Sequence, residues 1–329
     1  MRRAVAEARA NIALIKYWGK RDRVLNLPAN SSLSLTLDGM TTRTTVCFDS
    51  ALAADRLILG GEEQVGEALR RVTGFLDLVR GLAKLDLRAH IDSTNSFPTA
   101  SGLASSASGF AALAVAATHA AGLELSPLQL SVLARRGSGS AARSIFGGFV
   151  GHHCGTRPDG EDSFSQPIES KSNFSPRLVV AVTDAGKKTT LSTRGMEHTA
   201  ATSPYYAAWT AMAEQDFGHA ESAIAAGDLE ALGVLTESSG LSMHASAMAA
   251  RPAVVYFSSA TLAGYHAICA LRKSGIPAWF TCDAGPHIKA LTDEKHATAV
   301  AARLCEVAGV QRTFVCSPGR GAELLERTQ

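Results

Sequence analysis

"NSFPTASGLASSASGFAALA" runs from Asn95 to Ala114 and places Pro98, Gly102 and the serines Ser101, Ser105, Ser106 and Ser108 directly ahead of a run of small apolar residues. Two readings fit it. One is a loop that feeds a tightly packed helix. The other is an anion site, in which the unpaired backbone N–H groups and the positive dipole end of the helix converge on the ligand, and glycine and serine let the backbone approach it. The flanking pattern sets the fold class. Leu85, Leu87, Ala89 and Ile91 alternate with polar neighbours, the period of a half-buried strand that leads through "DSTNS" into the loop. Upstream, Val65, Leu69, Val72, Leu76, Val79 and Leu82 recur at helical spacing, which predicts an amphipathic helix over 64–83. Downstream, a helix is predicted over 104–121, its alanines and glycine suited to close burial.

With 329 residues, 46% hydrophobic and 19% charged, the chain is long enough for two packed cores. A formal net charge of +2 is too small to point to nucleic acid or a membrane surface. The six cysteines, Cys47, Cys154, Cys269, Cys282, Cys305 and Cys316, stand singly without zinc spacing and are expected to be reduced. Glu7 and Arg9 interrupt any signal-peptide core, and no run approaches the roughly 20 apolar residues of a membrane span. The expectation is a soluble, cytoplasmic protein that handles small molecules.

Further along, "PRLVVAVTD" (176–184) reads as a buried strand and "AGKKTTLST" after it as a polar connection, giving an expected division into 1–184 and 185–329. Helical patterns cover 202–226 and 228–238, "PAWFTC" (277–282) is a short strand ending in a turn, and a helix near 294–308 and a strand near 312–316 follow. Strands and helices in this mixed order predict an α+β fold.

Three other stretches carry chemistry. "ANIALIKYWGKRD" (10–22) sets Lys16, Tyr17, Trp18, Lys20, Arg21 and Asp22 beside an apolar "IALI". "RRGSGSAARSIFGGFVG" (135–151) is a second glycine-serine loop with Arg135, Arg136 and Arg143, and "TCDAGPH" (281–287) offers Asp283 at a strand end. Together they describe a site for two phosphorylated molecules and one acid or base. Each has a plainer reading: solvated lysines, core aromatics, a turn-forming aspartate. His152-His153-Cys154 looks like a metal set, but neighbours on a strand face opposite ways, which favours packed or exposed histidines.

In combination these stretches resemble a family. "SFPTASGLASSASGFAALA" is similar to the phosphate-binding motif of the GHMP kinase superfamily, the small-metabolite kinases for galactose, homoserine, mevalonate and phosphomevalonate. "NIALIKYWGKRD", "LNLPANSSLSLTL" (25–37), "GSGSAARS" (137–144), "LSTRGMEHTAATS" (191–203), "MHA" (243–245) and "DAGP" (283–286) are similar, in that order, to the diphosphomevalonate decarboxylases of that superfamily. The resemblance implies a two-lobed GHMP kinase fold, with an N-terminal domain like ribosomal protein S5 domain 2 and a C-terminal kinase domain. It implies ATP-dependent decarboxylation of (R)-5-diphosphomevalonate to isopentenyl diphosphate, with ATP and magnesium ion required, and a homodimer.

Residue by residue, the resemblance implies that Asp283 meets the 3-hydroxyl as base or orienting partner, that Lys16 keeps Asp283 ionised, and that Arg143 grips the substrate carboxylate. Tyr17, Trp18, Gly19, Lys20, Ser138, Gly139, Ser140, Ala141, Ala142, Ser192 and Thr193 would surround the substrate, with Arg70 added from spacing. Pro98, Ala100, Ser101, Gly102, Leu103, Ala104, Ser105, Ser106 and Ser108 would wrap the ATP phosphates, the Ser105 and Ser106 hydroxyls reaching the γ-phosphate and its magnesium ion. No Walker loop is present. Three positions depart from the family pattern: His287 where Asn is usual, Ala142 where Cys is usual, and Gly151-His152-His153 where a Trp-containing stretch is usual. They leave open a 5-phosphomevalonate decarboxylase or a mevalonate 3-kinase, and outside enzymes a nucleotide- or sugar-sensing member; the 3-kinases tend to lack the Lys and Asp that stand here as Lys16 and Asp283, and retention of Lys16, Arg143 and Asp283 together speaks against a sensor.

Overall fold

The structure, a computed structural model, describes residues 2–97, 105–171, 173–183 and 190–328. In chain order the first lobe runs β1 (Arg2–Ile15), β2 (Lys20–Asp22), β3 (Leu27–Pro28), β4 (Ser32–Asp49), β5 (Arg56–Leu59), β6 (Glu62–Gln64), α1 (Glu67–Ala83), β7 (Arg88–Asn95), α2 (Ser105–Ala120), α3 (Pro127–Gly137), α4 (Ala141–Ser144), β8 (Phe149–His152) and β9 (Ser165–Pro167). The second runs β10 (Arg177–Thr183), α5 (Ser192–Thr202), α6 (Tyr206–Ala226), α7 (Leu229–Met248), α8 (Ser259–Lys273), β11 (Ala278–Thr281), β12 (Ile288–Thr292), α9 (Ala297–Cys305) and β13 (Val310–Cys316), and β14 (Glu323–Thr328) returns to the first sheet.

The first sheet has the order β14-β1-β4-β7-β5-β6, with β8 and β9 added on the early half of β4; the second is β11-β12-β10-β13. All pairs are antiparallel except β5 with β7. The β1 sequence explains its place. Its near-continuous run of alanine and aliphatic residues suits a strand covered on both faces, and from Ala4 to Ile15 every residue but Glu7 is buried. Ala4, Ala6 and Ala8 pack with the α1 and α2 side chains, while Ala10, Ile12, Leu14 and Ile15 join a second cluster with Leu178 and Val180 of β10 and Leu232 of α7. β1 thus belongs to the cores of both lobes.

The α+β class and the helices at α1, α2, α6 and α9 follow the sequence patterns closely. The strand expected around 85–91 lies at β7, three residues further on; just before it, Arg80 Nε donates to the Leu87 carbonyl at 2.8 Å, so that backbone group is taken by a side chain rather than by a neighbouring strand. Helices α3 and α8 were not anticipated, although both carry capping boxes, at Ser126 with Gln129 and at Ser258 with Thr261. Helix α7 runs ten residues past Ser238, where Gly240 and several serines blur the period. The strand 177–183, read as the end of the first unit, is hydrogen-bonded into the second sheet between β12 and β13. An apolar run cannot itself say which sheet it enters. Among the described residues, no helix is long and apolar enough to cross a membrane.

Helix α7 crosses Trp279 of β11 at Gly233, where a Cβ would run into the indole ring. Gly233→Ala is therefore expected to destabilise the protein by about 1–3 kcal/mol, the usual range for overpacking. Urea unfolding checks this: the midpoint should fall with the slope unchanged.

Candidate active site

Where β1 ends, Lys16 is tied to both lobes. Its backbone N–H donates to Ser239 Oγ of α7 at 3.0 Å, its carbonyl accepts from Asn30 Nδ2 at 2.8 Å, and its Nζ donates to the Ala13 carbonyl and to Asp283 Oδ1, each at 2.8 Å. Asp283 sits in the turn between β11 and β12, and its other oxygen, Oδ2, lies 3.0 Å from Lys289 Nζ on β12. Both lysines are 1% exposed and Asp283 25%. Burial alone would push the Asp283 carboxyl up; Lys16 and Lys289 outweigh it and hold the group well below the usual carboxylate range. Beneath the turn, His244 Nε2 donates to the Cys282 carbonyl at 3.3 Å, and burial together with the Lys16 cation lowers its pKa to about 3, so it stays neutral.

Arg143 stands in the single turn α4. Its Nη1 donates to Ser32 Oγ at 2.6 Å and its Nε to Asn11 Oδ1 at 3.3 Å, while Asn11 Nδ2 donates back to the Ser140 carbonyl and Ser144 Oγ. Burial brings Arg143 down to about 10, still charged at neutral pH. Two glycines make room for rings: a Cβ on Gly139 would meet the Tyr17 phenol, and one on Gly19, whose φ of +124° also favours glycine, would meet the Tyr206 hydroxyl. The buried Tyr17 hydroxyl has no hydrogen-bond partner among the described residues. Burial raises its pKa above the ordinary phenol value, so it remains a donor.

Lys16, Tyr17, Arg143 and Asp283 border one cleft of about 790 Å³ between the lobes. Seven cationic side chains line it, Lys16, Lys20, Arg23, Arg71, Arg136, Arg143 and Arg194, against the three carboxylates Glu67, Glu197 and Asp283. A protein of net charge +2 has gathered its surplus here. Lys20 is drawn below its ordinary value by burial, with Glu197 pulling it back up and Arg71 and Arg23 pulling it further down. Such crowding of like charge suits a polyanionic ligand. Beside the cleft lies a smaller cavity of about 190 Å³, apolar on Leu57, Leu59, Val72, Ile91, Phe110 and Leu113, and Ser105 and Ser106 border both spaces.

Of the residues singled out from sequence, Lys16, Tyr17, Trp18, Lys20, Ser138, Gly139, Ser140, Arg143, Ser192, Thr193, Asp283, Ser105 and Ser106 come together around the cleft. Trp18 lines it from within an aromatic cluster, edge-on to Tyr256 at 5.8 Å. Ala141 and Ala142 are fully buried in α4 and do not line the cleft, and Ser108 is buried between α2 and β4, accepting from Thr42 Oγ1 at 2.6 Å. Pro98, Ala100, Ser101, Gly102, Leu103 and Ala104 fall outside the described residues. Arg70 does not line the cleft; the α1 cation that does is Arg71, about 100° further round the helix, its guanidinium 5.3 Å over the Phe110 ring. Sequence reasoning also passed over Asn11, Arg194 and Lys289. His152 packs on Ser165 Oγ at 2.8 Å while His153 turns to Phe164 and Phe217, and His287 Nδ1 accepts from the Thr183 N–H at 3.1 Å.

Two family models match the chain, the diphosphomevalonate decarboxylase-like N-terminal domain over residues 8–165 and the mevalonate 5-diphosphate decarboxylase C-terminal domain over 178–320. The chain belongs to the diphosphomevalonate decarboxylase family. A diphosphomevalonate decarboxylase of Candida albicans is 36% identical, with 97% of each chain covered, and one of Aspergillus fumigatus is 38% identical over 93% of this chain and 81% of its own. Among solved structures, mevalonate diphosphate decarboxylase of Staphylococcus aureus superposes with a TM-score of 0.94 at 37% identity, covering 99% of this chain and 98% of that one. MDDEF in complex with MVAPP, AMPPCP and magnesium gives 0.93 at 42% identity, covering 98% and 99%. Members of this diphosphomevalonate decarboxylase family share the two-lobed GHMP kinase fold seen here.

The cleft cations give a direct test of the Arg71 placement. Arg71→Ala is expected to weaken binding of inorganic pyrophosphate about tenfold, the loss of one charged hydrogen-bonding contact, and Arg70→Ala to leave it within about twofold. Isothermal titration at fixed salt measures both.

Proposed function

We propose that this protein catalyses the ATP-dependent decarboxylation of (R)-5-diphosphomevalonate to isopentenyl diphosphate, releasing ADP, phosphate and carbon dioxide. The observation that carries this reading is the ionised Asp283 between Lys16 and Lys289, opening on a cleft with a large excess of cations. In the proposed reaction the 3-hydroxyl oxygen of the substrate takes the γ-phosphoryl group, which turns a poor leaving group into phosphate. The bond from C3 to that oxygen then breaks as the carboxylate bond does, and the electrons of the carboxylate bond form the alkene.

The side chains divide the work of that reaction. Asp283 accepts a hydrogen bond from the 3-hydroxyl and aims its oxygen; with two ammonium groups on it, it is a weak base at rest, so proton transfer follows bond formation to phosphorus rather than preceding it. Arg143, pre-aligned by Ser32 and Asn11, grips the substrate carboxylate in forked geometry. Lys20, Arg71, Tyr17 and the 138–140 loop take the diphosphate, and the unpartnered Tyr17 hydroxyl supplies a donor there. The smaller apolar cavity suits the adenine ring, and its border at Ser105 and Ser106 leads the phosphates into the cleft. Ser105 and Ser106, at the border between the two spaces, would be the side-chain ligands of a magnesium ion carried in with the nucleotide phosphates. Magnesium supplies charge neutralisation for phosphoryl transfer.

The decarboxylase reading is favoured over a 3-kinase by Lys16 and Asp283 standing together in the cleft. Asp283→Asn is expected to slow the reaction by about 10²–10⁴, the usual loss for a positioned acid–base group. A single-turnover assay that follows ADP and carbon dioxide separately checks it: both should be slowed together, whereas normal ADP formation with delayed carbon dioxide would remove Asp283 from the phosphorylation step. Arg143→Lys, which keeps the charge and loses the fork, is expected to lower kcat/KM at least about tenfold; near-normal kinetics would mean that Arg143 does not hold the carboxylate.

A further inference from the structure

We propose that Lys289 is a positioning residue for this reaction: from inside the second lobe it fixes the second carboxylate oxygen of Asp283, so that the carboxylate presents a set edge to the substrate. The proposal rests on the reading of Asp283 given above. Lys289 is buried and, unlike Lys16, is not among the side chains that line the cleft; its contact with the site is through Asp283. The β11–β12 hairpin alone creates the contact. In its register Lys289 lies opposite Thr281, and Asp283 stands two residues beyond Thr281, so the lysine reaches back along the hairpin to Oδ2.

Lys16 comes from the other lobe and takes Oδ1. A carboxylate with one cation can still swing about its own bond, and with a cation on each oxygen its plane is fixed. A buried ammonium group also needs an anion beside it, and the only carboxylate paired with Lys289 among the described residues is Asp283. The charged and titratable groups facing Asp283 are Lys16 after β1, Lys289 on β12, Arg143 on α4 at longer range, neutral His244 on α7, and the Cys282 thiol, which donates to the Gly285 carbonyl at 2.9 Å. Lys289 and Lys16 are the two cations in contact.

The test uses the full-length chain and begins with wild-type turnover of ATP and 5-diphosphomevalonate; a wild type that does not turn over defeats the proposed function and leaves Lys289 out of it. Given turnover, Lys289→Met is expected to lower kcat about tenfold or more with KM for both substrates within about threefold. Removing a cation raises the pKa of Asp283, so the anion is lost at a higher pH, and the acidic limb of the kcat profile should move upward. In an Asp283→Asn background the same substitution should change kcat by less than about twofold, because the group it acts through has lost its charge. Lys289→Gln, which keeps a hydrogen-bond donor, serves as the second variant and should show the same upward limb with a smaller loss of kcat. The proposal is overturned by an unchanged kcat and acidic limb, by a loss as large in Asp283→Asn as in wild type, or by loss of the folded circular-dichroism signal in both variants, which would make Lys289 a structural residue.

Discussion

A carboxylate stays ionised where burial opposes it only when cations are brought to it, and this molecule brings them from two directions. Lys16 arrives from the first lobe at the end of β1, and Lys289 from the second lobe along a hairpin. The long alanine-rich strand that delivers Lys16 has to be buried in both lobes for the meeting to happen, which is why its residues appear in two hydrophobic clusters. The placement of one charge thereby ties together the cores, the cleft and the turn at 282–287.

Around that charge the cleft is built by leaving space as much as by filling it. Gly139 and Gly19 admit the Tyr17 and Tyr206 rings close to the backbone, and Gly240 of α7 lies against Thr281 and the Lys16 side chain. Small residues let three chain segments close on one point, and the charged groups then stand within reach of one ligand. The surplus of cations is a cost to the free protein, since Lys20, Arg71 and Arg23 repel one another. A polyanionic ligand in the cleft would relieve it.

The sequence made much of this legible, and the reasons for the rest are physical. Lys16, Tyr17, Ser138, Ser140, Arg143 and Asp283 sit in dense local motifs whose residue types have few purely structural uses, and all line the cleft. Lys289 was invisible because a lysine within "HIKALT" reads as one polar position in a short strand; only the strand register shows that it points at Asp283. Arg70 and Arg71 are adjacent, and the amphipathic period of α1 leaves both on its polar side, so only the packed structure, where Arg71 lies over Phe110 and lines the cleft, separates them. The position of β10 was hidden for a similar reason: hydrophobic alternation marks a strand and stays silent on its partners.

The last strand has a bearing on how the protein is made. β14 pairs with β1, and the ion pair of Arg3 with Glu326 joins residues 323 positions apart. On the ribosome β1 can meet β4 early, but its outer edge stays open until β14 has emerged, while the second lobe, whose sheet is complete at β13, can close before it. The lobe synthesised first is finished last. For that interval an unpaired strand rich in alanine is exposed to other nascent chains, a hazard that falls on synthesis and disappears from the folded molecule.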